Sequence, residues 1–431
     1  EVFNGVIRGA GLLRARNEEH MLDMVEVLSK CARPEGRGLG IVTQSGGAGV
    51  LMTDRAEEIG LSVPMLSDTT QRRLRSVIPS FGATGNPVDI TGQFIAEPSL
   101  LYEAVRAVLA DPDVHAGVVW LQLMDAYVDT LVGVFARLKA GTAKPFVVCW
   151  VAAPSEAVQA LRERGIAVLR GAEPAVDAVG ALVQYANARR QWHADSEPRK
   201  ALRNASVAPI EGASAGVVSS TMTEDWLNAC GVATVPARIA RAADQAVAAA
   251  SDLGYPVALK IASPDILHRT EIDAVELGLA NAEAVRKAYG TILSNTRRSR
   301  PDARIDGVAV QRMAERGVEL VVGLKRDQVF GVIIMVGLGG IHVEVLKDAV
   351  FRAAPVTPSE AGRMLDELRG RAILEGVRGQ APVNRRALVQ LISAVSVFGA
   401  TAGTRLRELD LNPVIANDKG AVAVDWLLLM D

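Results

Sequence analysis

Histidine is scarce in this 431-residue chain, with five copies set against 47 lysines and arginines and 49 acids. Imidazole chemistry therefore has few candidate positions. Cysteine is scarcer still. Cys31, Cys149 and Cys230 are odd in number and far apart, which excludes a disulfide framework and a CxxC metal site and points to a reducing cytoplasm. Charge of one sign is also lacking, the formal net charge being −2. Neither nucleic acid nor an anionic membrane surface is expected as a partner on electrostatic grounds. No uninterrupted apolar run reaches the roughly 18 residues that a membrane span needs, and no signal peptide opens the chain.

At roughly 100 to 200 residues per domain, this length predicts two to four domains. The first residues, "EVFNGVIRGAGLLRARNEEHMLDMVEVL", lack an initiator methionine and start in the middle of an element, so a piece of something longer is expected. Short β-branched runs then alternate with longer amphipathic segments, the pattern of parallel α/β architecture. "GLGIVTQSGGAGVLMTDRAEEIGL" reads as strand, glycine turn and helix, and "VHAGVVWLQLM", "KPFVVCWVAA" and "GIAVLRGA" read as further strands. Residues 37–192 are expected to form one doubly wound parallel sheet of flavodoxin-like type. Residues 193–216 are polar and small without a sustained period and read as a linker. A second α/β domain is expected over 217–431. Its first helix is anchored by Trp226 and Leu227, with Thr223 as N-cap and Gly231 as stop.

Chemistry-bearing residues follow the same order. In "TQSGGAGV", Ser45, Gly46, Gly47 and Gly49 sit where a strand delivers the chain to a helix, so exposed amides and the helix dipole can make an anion site. Close packing of strand on helix explains the same glycines equally well. "GATGNPVDITG" places Asn86, Pro87 and Asp89 in a loop. Further on, Lys260 ends the apolar strand "YPVALK", where an ammonium is costly unless it faces an anion such as phosphate or stays solvated. Gln311, Arg312 and Met313 end another strand and can offer main-chain groups to an adenine edge. Glu319 projects from the strand that follows. "IIMVGLGGIHVEVLKDAVFRAAP" supplies Gly337, Gly339, Gly340, Glu344 and the cation Arg352. In "RELDLNPVIANDKGAVAVDW", alternation puts Asp410 and Asn412 on one strand face, with Asp425 on the return strand. Three hard oxygen donors there suit Mg²⁺ carrying nucleotide phosphates.

These motifs together resemble the NDP-forming acyl-CoA synthetase family, which includes ADP-forming acetate:CoA ligases and is related to succinyl-CoA synthetase. "VTQSGGAGVLMTDRAEEIGL…NPVDITG" resembles its ligase-type flavodoxin-like domain. "YPVALKIASPDILHRT…VELVVGLKRD…IIMVGLGGIHVEVLKD…ELDLNPV…AVAVD" resembles its ATP-grasp domain, with a small subdomain at about 237–303. Residues 1–36 resemble the tail of a preceding domain of the family.

The resemblance implies roles. Lys260 becomes a phosphate ligand, Gln311 to Met313 the adenine hinge, and Glu319 a neighbour of ribose or phosphate. Gly339, Gly340, Arg352, Ser45, Gly46 and Gly47 join the cofactor-binding set, and Asp410, Asn412 and Asp425 the magnesium set. His268 matches the histidine of the family's "SPDILHKTD" loop, which in some members accepts a phosphoryl group from ATP and carries it to the acyl-CoA site. A neutral imidazole is a competent nucleophile near pH 7. His342 is expected to pack, and His20, His115 and His193 to be surface or structural. Where the family continues "HKTDVGGV", this chain has "HRTEIDAV", with Asp273 and Ala274 replacing glycines. A "SHTGALAG"-like histidine segment and a CoA-binding Rossmann domain, which the family carries upstream, do not occur in these 431 residues. The implied activity is ATP-dependent ligation of a carboxylic acid, such as acetate or ferulate, to CoA, using ATP/ADP and Mg²⁺. Upstream CoA-binding and phosphohistidine domains, in this or another chain, would be partners within an oligomer. The alternatives are a regulatory ligase-like region of a protein acyltransferase and a nucleotide-binding interaction subunit.

Overall fold

Leu39–Thr43 (β1) carries leucine, isoleucine and valine and is buried at every position, as befits a parallel strand covered on both faces. The computed structural model describes residues 1–204, 215–266, 272–339, 348–377 and 379–431. They divide into two units, residues 11–193 on one side and residues 1–10 with 194–431 on the other. Helix α1 (Val2–Gly9) therefore belongs to the second unit, and α2 (Glu18–Lys30) to the first.

In the N-terminal unit β1 is joined by β2 (Val88–Asp89), β3 (Ala116–Gln122), β4 (Phe146–Val151) and β5 (Ala167–Leu169). All pairs are parallel, in the order β2-β1-β3-β4-β5, which is the flavodoxin-like order. Helix α3 (Gly46–Glu58) and α8 (Ala172–Ala194) bury Met52, Ala56, Val176, Val179 and Leu182 on one face, together with Val27 of α2. On the other face lie α4 (Asp68–Arg75), α5 (Pro98–Ala110), α6 (Val128–Gly141) and α7 (Ser155–Glu163), contributing Leu74, Leu101, Phe135 and Leu161.

The C-terminal unit begins with α9 (Ser196–Asn204), β6 (Gly216–Val217) and α10 (Ser220–Ala229). Helices α8 and α9 thus occupy the first part of the stretch expected to be a linker. Helix α9, "SEPRKALRN", is strongly polar and buries none of its residues, so no apolar run marks it in the sequence. Helix α10 is capped by Ser219, whose hydroxyl accepts from the Met222 N–H at 3.3 Å, and not by Thr223. Thr223 lies buried in the first turn and donates to the Ser219 carbonyl at 3.0 Å. Gly231 does stop the helix, at φ +82°.

Two antiparallel sheets follow. The smaller joins β7 (Ala237–Ala240), β8 (Val257–Ala262), β9 (Val275–Leu279) and β10 (Gly307–Arg312) in the order β7-β10-β8-β9. Helices α11 (Ala243–Leu253) and α12 (Ala282–Ser299) cover one face through Ala246, Ala250, Val285 and Ile292. The larger comprises β11 (Val318–Asp327), β12 (Gly331–Leu338), β13 (Ala349–Ala353), β14 (Leu406–Ala416), β15 (Ala421–Ala423) and β16 (Trp426–Met430). Its order is β13-β12-β11-β14-β16-β6, with β15 on β14. Helices α13 (Pro358–Glu367) and α14 (Arg385–Ala402) pack Leu365, Leu391, Val395 and Phe398 against it.

The segment Arg385–Arg405 is apolar and long enough to cross a membrane, but 56% of its apolar window is buried inside this unit, as the core helix. Helix α1 lies against the edge strand β13 with its backbone in contact. A Cβ on Gly5 would stand 2.1 Å from the Phe351 carbonyl oxygen, and one on Gly9 2.8 Å from Arg352 Cδ.

Candidate functional site

Alternation sorts the small sheet into two faces. Val257, Leu259, Ile261, Val308 and Val310 point to the helices and are buried. Ala258, Lys260, Ala262, Ala309 and Gln311 share the opposite face, with Lys260 directly across from Ala309 and Gln311 across from Ala258. Lys260 is 8% exposed. Its Nζ donates to the Val424 carbonyl at 3.3 Å and stands 3.6 Å from Asp425 Oδ2. Gln311 is 3% exposed. Its Nε2 donates to the carbonyls of Val235 at 3.2 Å and Val424 at 3.0 Å, while its buried Oε1 has no hydrogen-bond partner.

On the large sheet, Leu409 and Leu411 of β14 face the core, so Glu408, Asp410 and Asn412 take the other face. The Asn412 N–H donates to the Asp425 carbonyl at 3.1 Å. Asp425 Oδ1 accepts from the Trp426 N–H at 3.0 Å. Burial, and then the charges of Glu408 and Asp425, push the Asp410 carboxyl above its ordinary value. Carboxylates that disfavour one another's charge are relieved by a cation. Among the described residues no three His, Cys, Asp or Glu side chains form a metal cluster. The set here is two carboxylates with the Asn412 amide, hard oxygen donors that fit Mg²⁺.

Glu319 is exposed, and register places it on the same sheet face as Asp410, since Gly323 pairs with Asp410. Its carbonyl accepts from the Gly339 N–H at 2.7 Å. A Cβ on Gly339 would come within 3.0 Å of Glu319, so that close approach requires glycine. The hinge differs from expectation. Gln311 lies between Ala237 and Ala258 in the ladder, so its main-chain groups serve the sheet. The Met313 N–H is committed to the Pro256 carbonyl at 3.1 Å, and Arg312 is exposed.

Arg352 is not brought to this cleft. It stands across from Ile334 on the core face of β13, and its Nε and Nη2 donate to Glu360 at 2.6 Å and Glu367 at 2.5 Å. Two carboxylates of α13 thus take the guanidinium that a nucleotide was expected to occupy. His268, Gly340 and Glu344 lie outside the described residues. Asp273 is described, and takes φ +49°, the left-handed conformation that glycine would adopt most readily and that aspartate tolerates.

In the N-terminal unit Ser45 occupies the N-cap position of α3 with its hydroxyl making no capping bond. The two explanations of the glycine turn separate by position. A Cβ on Gly49 would meet Pro87 at 3.0 Å, whereas Gly46 and Gly47 have nothing nearer than 3.5 and 4.0 Å. Gly49 is therefore a packing residue. Gly46 and Gly47 are exposed at the positive end of the helix, with the Asp89 carboxylate beside Gly46.

Fold and cleft together define an ATP-grasp protein joined to a ligase-type unit. A family model described as an ATP-grasp domain matches residues 211–429, and one described as a Ligase-CoA domain matches residues 39–192. The chain is 40% identical over 207 residues to the beta subunit of acetate–CoA ligase (ADP-forming) I of Pyrococcus furiosus, spanning 48% of this chain and 89% of that one. It is 33% identical over 437 residues to acetate–CoA ligase (ADP-forming) I of Archaeoglobus fulgidus, covering 100% of this chain and 62% of that protein. A trans-feruloyl-CoA synthase from an unknown prokaryote is 31% identical over 434 residues, covering 98% of this chain and 60% of that protein. The chain belongs to the NDP-forming acyl-CoA synthetase family. It spans about 60% of the length of the single-chain relatives it matches.

Proposed function

We propose that this chain is the nucleotide-binding and phosphoryl-shuttling part of a cytoplasmic, ADP-forming carboxylic acid:CoA ligase. The observation that carries this reading is the pairing of Lys260 with Asp425 across two sheets, 3.6 Å apart. It sets a buried phosphate-type cation against an oxygen donor of the metal set. Lys260 binds and orients the nucleotide phosphates, and its burial strengthens that interaction relative to water. Asp410, Asn412 and Asp425 would hold Mg²⁺, which supplies charge neutralisation for phosphoryl transfer when bound. Glu319 lies along the same face, toward ribose or phosphate.

His268 is the phosphoryl acceptor in this reading. It takes the γ-phosphoryl of ATP on a ring nitrogen as ADP leaves, and passes it to a carboxylate oxygen of the acid as the P–N bond breaks, giving acyl phosphate, from which the CoA thiol takes the acyl group and releases phosphate. Ser45, Gly46 and Gly47 offer amides to an anion at the acyl-CoA end. The CoA site and a further histidine segment belong to upstream domains, in the same or another chain, of an oligomeric enzyme. Separate alpha and beta subunits in P. furiosus relatives support that division of labour. Relatives named for acetate, ferulate and 4-hydroxybutyrate support a small or aromatic acid as substrate. Three unpaired thiols support the cytoplasm.

Incubation with Mg²⁺ and ATP labelled at the γ-phosphate tests the reading. Acid-labile, base-stable label on the chain is expected, absent in His268→Asn. Absence of label in the unsubstituted chain, despite measured ATP binding, would sink autonomous phosphorylation and favour a regulatory nucleotide-binding role.

A further inference from the structure

We infer that Gln311 is a positioning residue for Lys260: it holds the Val424 carbonyl so that the Lys260 ammonium can turn to a nucleotide phosphate, the role given to that lysine in the proposed function, on which this rests. The Val424 carbonyl oxygen accepts from two buried side chains of the small sheet, Gln311 Nε2 at 3.0 Å and Lys260 Nζ at 3.3 Å. Two donors fill the two lone pairs of a carbonyl oxygen. They differ in how firmly they are held. Gln311 Nε2 also donates to the Val235 carbonyl at 3.2 Å, so one planar amide spans two acceptors and has no rotation left that keeps both. Lys260 makes the longer bond to Val424, stands 3.6 Å from Asp425 Oδ2, and carries rotatable donors on a flexible stem.

Both acceptors belong to main chain that is itself pinned. The Val424 N–H donates to the Pro413 carbonyl at 2.9 Å, and the Val235 N–H to the Ala423 carbonyl at 3.0 Å. Neither segment can follow a moving side chain. A buried carbonyl stripped of its donors costs free energy. Were Lys260 the only donor to Val424, turning it to a phosphate would incur that cost and weaken nucleotide binding by the same amount. With Gln311 in place the oxygen keeps a partner, and the ammonium is released to the ligand. Stability alone would not favour this tie, because the same orientation leaves Gln311 Oε1 buried with no partner, and a reversed amide would set Oε1 against both carbonyl oxygens. An orphaned acceptor of this kind is a cost to the fold that functional sites retain.

Equilibrium binding of Mg²⁺-bound ATP to the full chain, in a double-mutant cycle with Lys260→Met, tests this. Gln311→Met, which has no donor, is expected to bind about tenfold more weakly, because Lys260 must then leave a carbonyl that has lost its other donor. In the Lys260→Met background, where no ammonium turns, the same substitution should change affinity by less than about twofold. Equal losses in both backgrounds would make Gln311 a fastening of the fold and nothing more. Unchanged affinity in Gln311→Met alone would overturn the inference as well, and either result leaves the proposed function standing. Unchanged affinity in Lys260→Met alone overturns the inference together with the role of Lys260 in the proposed function. Should Gln311→Met fail to fold, Gln311→Asn, whose amide is too short to reach both carbonyls, enters the same cycle with the same expectations.

Discussion

Lys260 on β8 and Arg352 on β13 are both cations buried on strands of the C-terminal unit, and burial obliges each to face an anion. Arg352 is saturated by Glu360 and Glu367 from one neighbouring helix. Glu360 is further held by Arg363, which also pairs with Asp195. Burial alone would raise the Glu360 carboxyl, but Arg352 and Arg363 more than offset it and hold it below its ordinary value. Lys260 instead has a carboxylate at 3.6 Å and a shared carbonyl, and burial, with the charges of Glu408 and Asp425, pushes Asp410 the opposite way. One neighbourhood has settled its charges internally, and the other, under the proposed function, would meet charge that arrives with a ligand.

Breaking the settled neighbourhood should have the largest effect. Arg352→Met leaves Glu360 buried without its main partner and is expected to lower unfolding free energy by about 3–5 kcal/mol, measured by denaturant titration, with nucleotide affinity unchanged where the chain remains folded. A loss below about 1 kcal/mol would erase the contrast. Lys260→Met should do the reverse. Nucleotide affinity is expected to fall by about a hundredfold, about 2.7 kcal/mol, while stability moves by less than about 1 kcal/mol.

The smallest effect sharpens the comparison through pH. With its folded pKa raised above 3.8, Asp410 keeps its proton longer in the native than in the unfolded chain, so its contribution to stability falls as pH rises from about 4. Asp410→Asn should therefore stabilise the ligand-free chain at pH 7 by up to about 1 kcal/mol and flatten that slope. The same substitution should weaken the stabilisation that Mg²⁺ and ATP together provide. Thermal melts between pH 4 and 8 check both, and a destabilised variant at pH 7 would contradict an unsettled cluster.

The parallel unit was legible because its strands are continuous apolar runs separated by glycine turns and amphipathic helices. Only Val88–Asp89, a two-residue strand, escaped, being too short to show a period. Arg352 was misplaced for a different reason. Alternation says which residues share a strand face, but not which face the helices α13 and α14 will cover. The orientation of the Gln311 side chain was not legible, because the carbonyls that fix it belong to Val235 and Val424, 76 and 113 residues away in sequence. Lys260, Asp410 and Asp425 could be singled out as candidates because strand ends and a hairpin are local signals. Their meeting is tertiary.

Helix α1 has a consequence for how the chain is made. Its glycines sit against Phe351 and Arg352, yet it leaves the ribosome long before the strand it touches. At about 5–20 residues per second, the wait for β13 lasts on the order of half a minute, during which the whole N-terminal unit is synthesised. Until β13 is made, the face of α1 that meets it has nothing to pack against, and packing supplies most of a short helix's stability. Its docking is then a late event of assembly, and the edge of the large sheet is closed by residues made long before it.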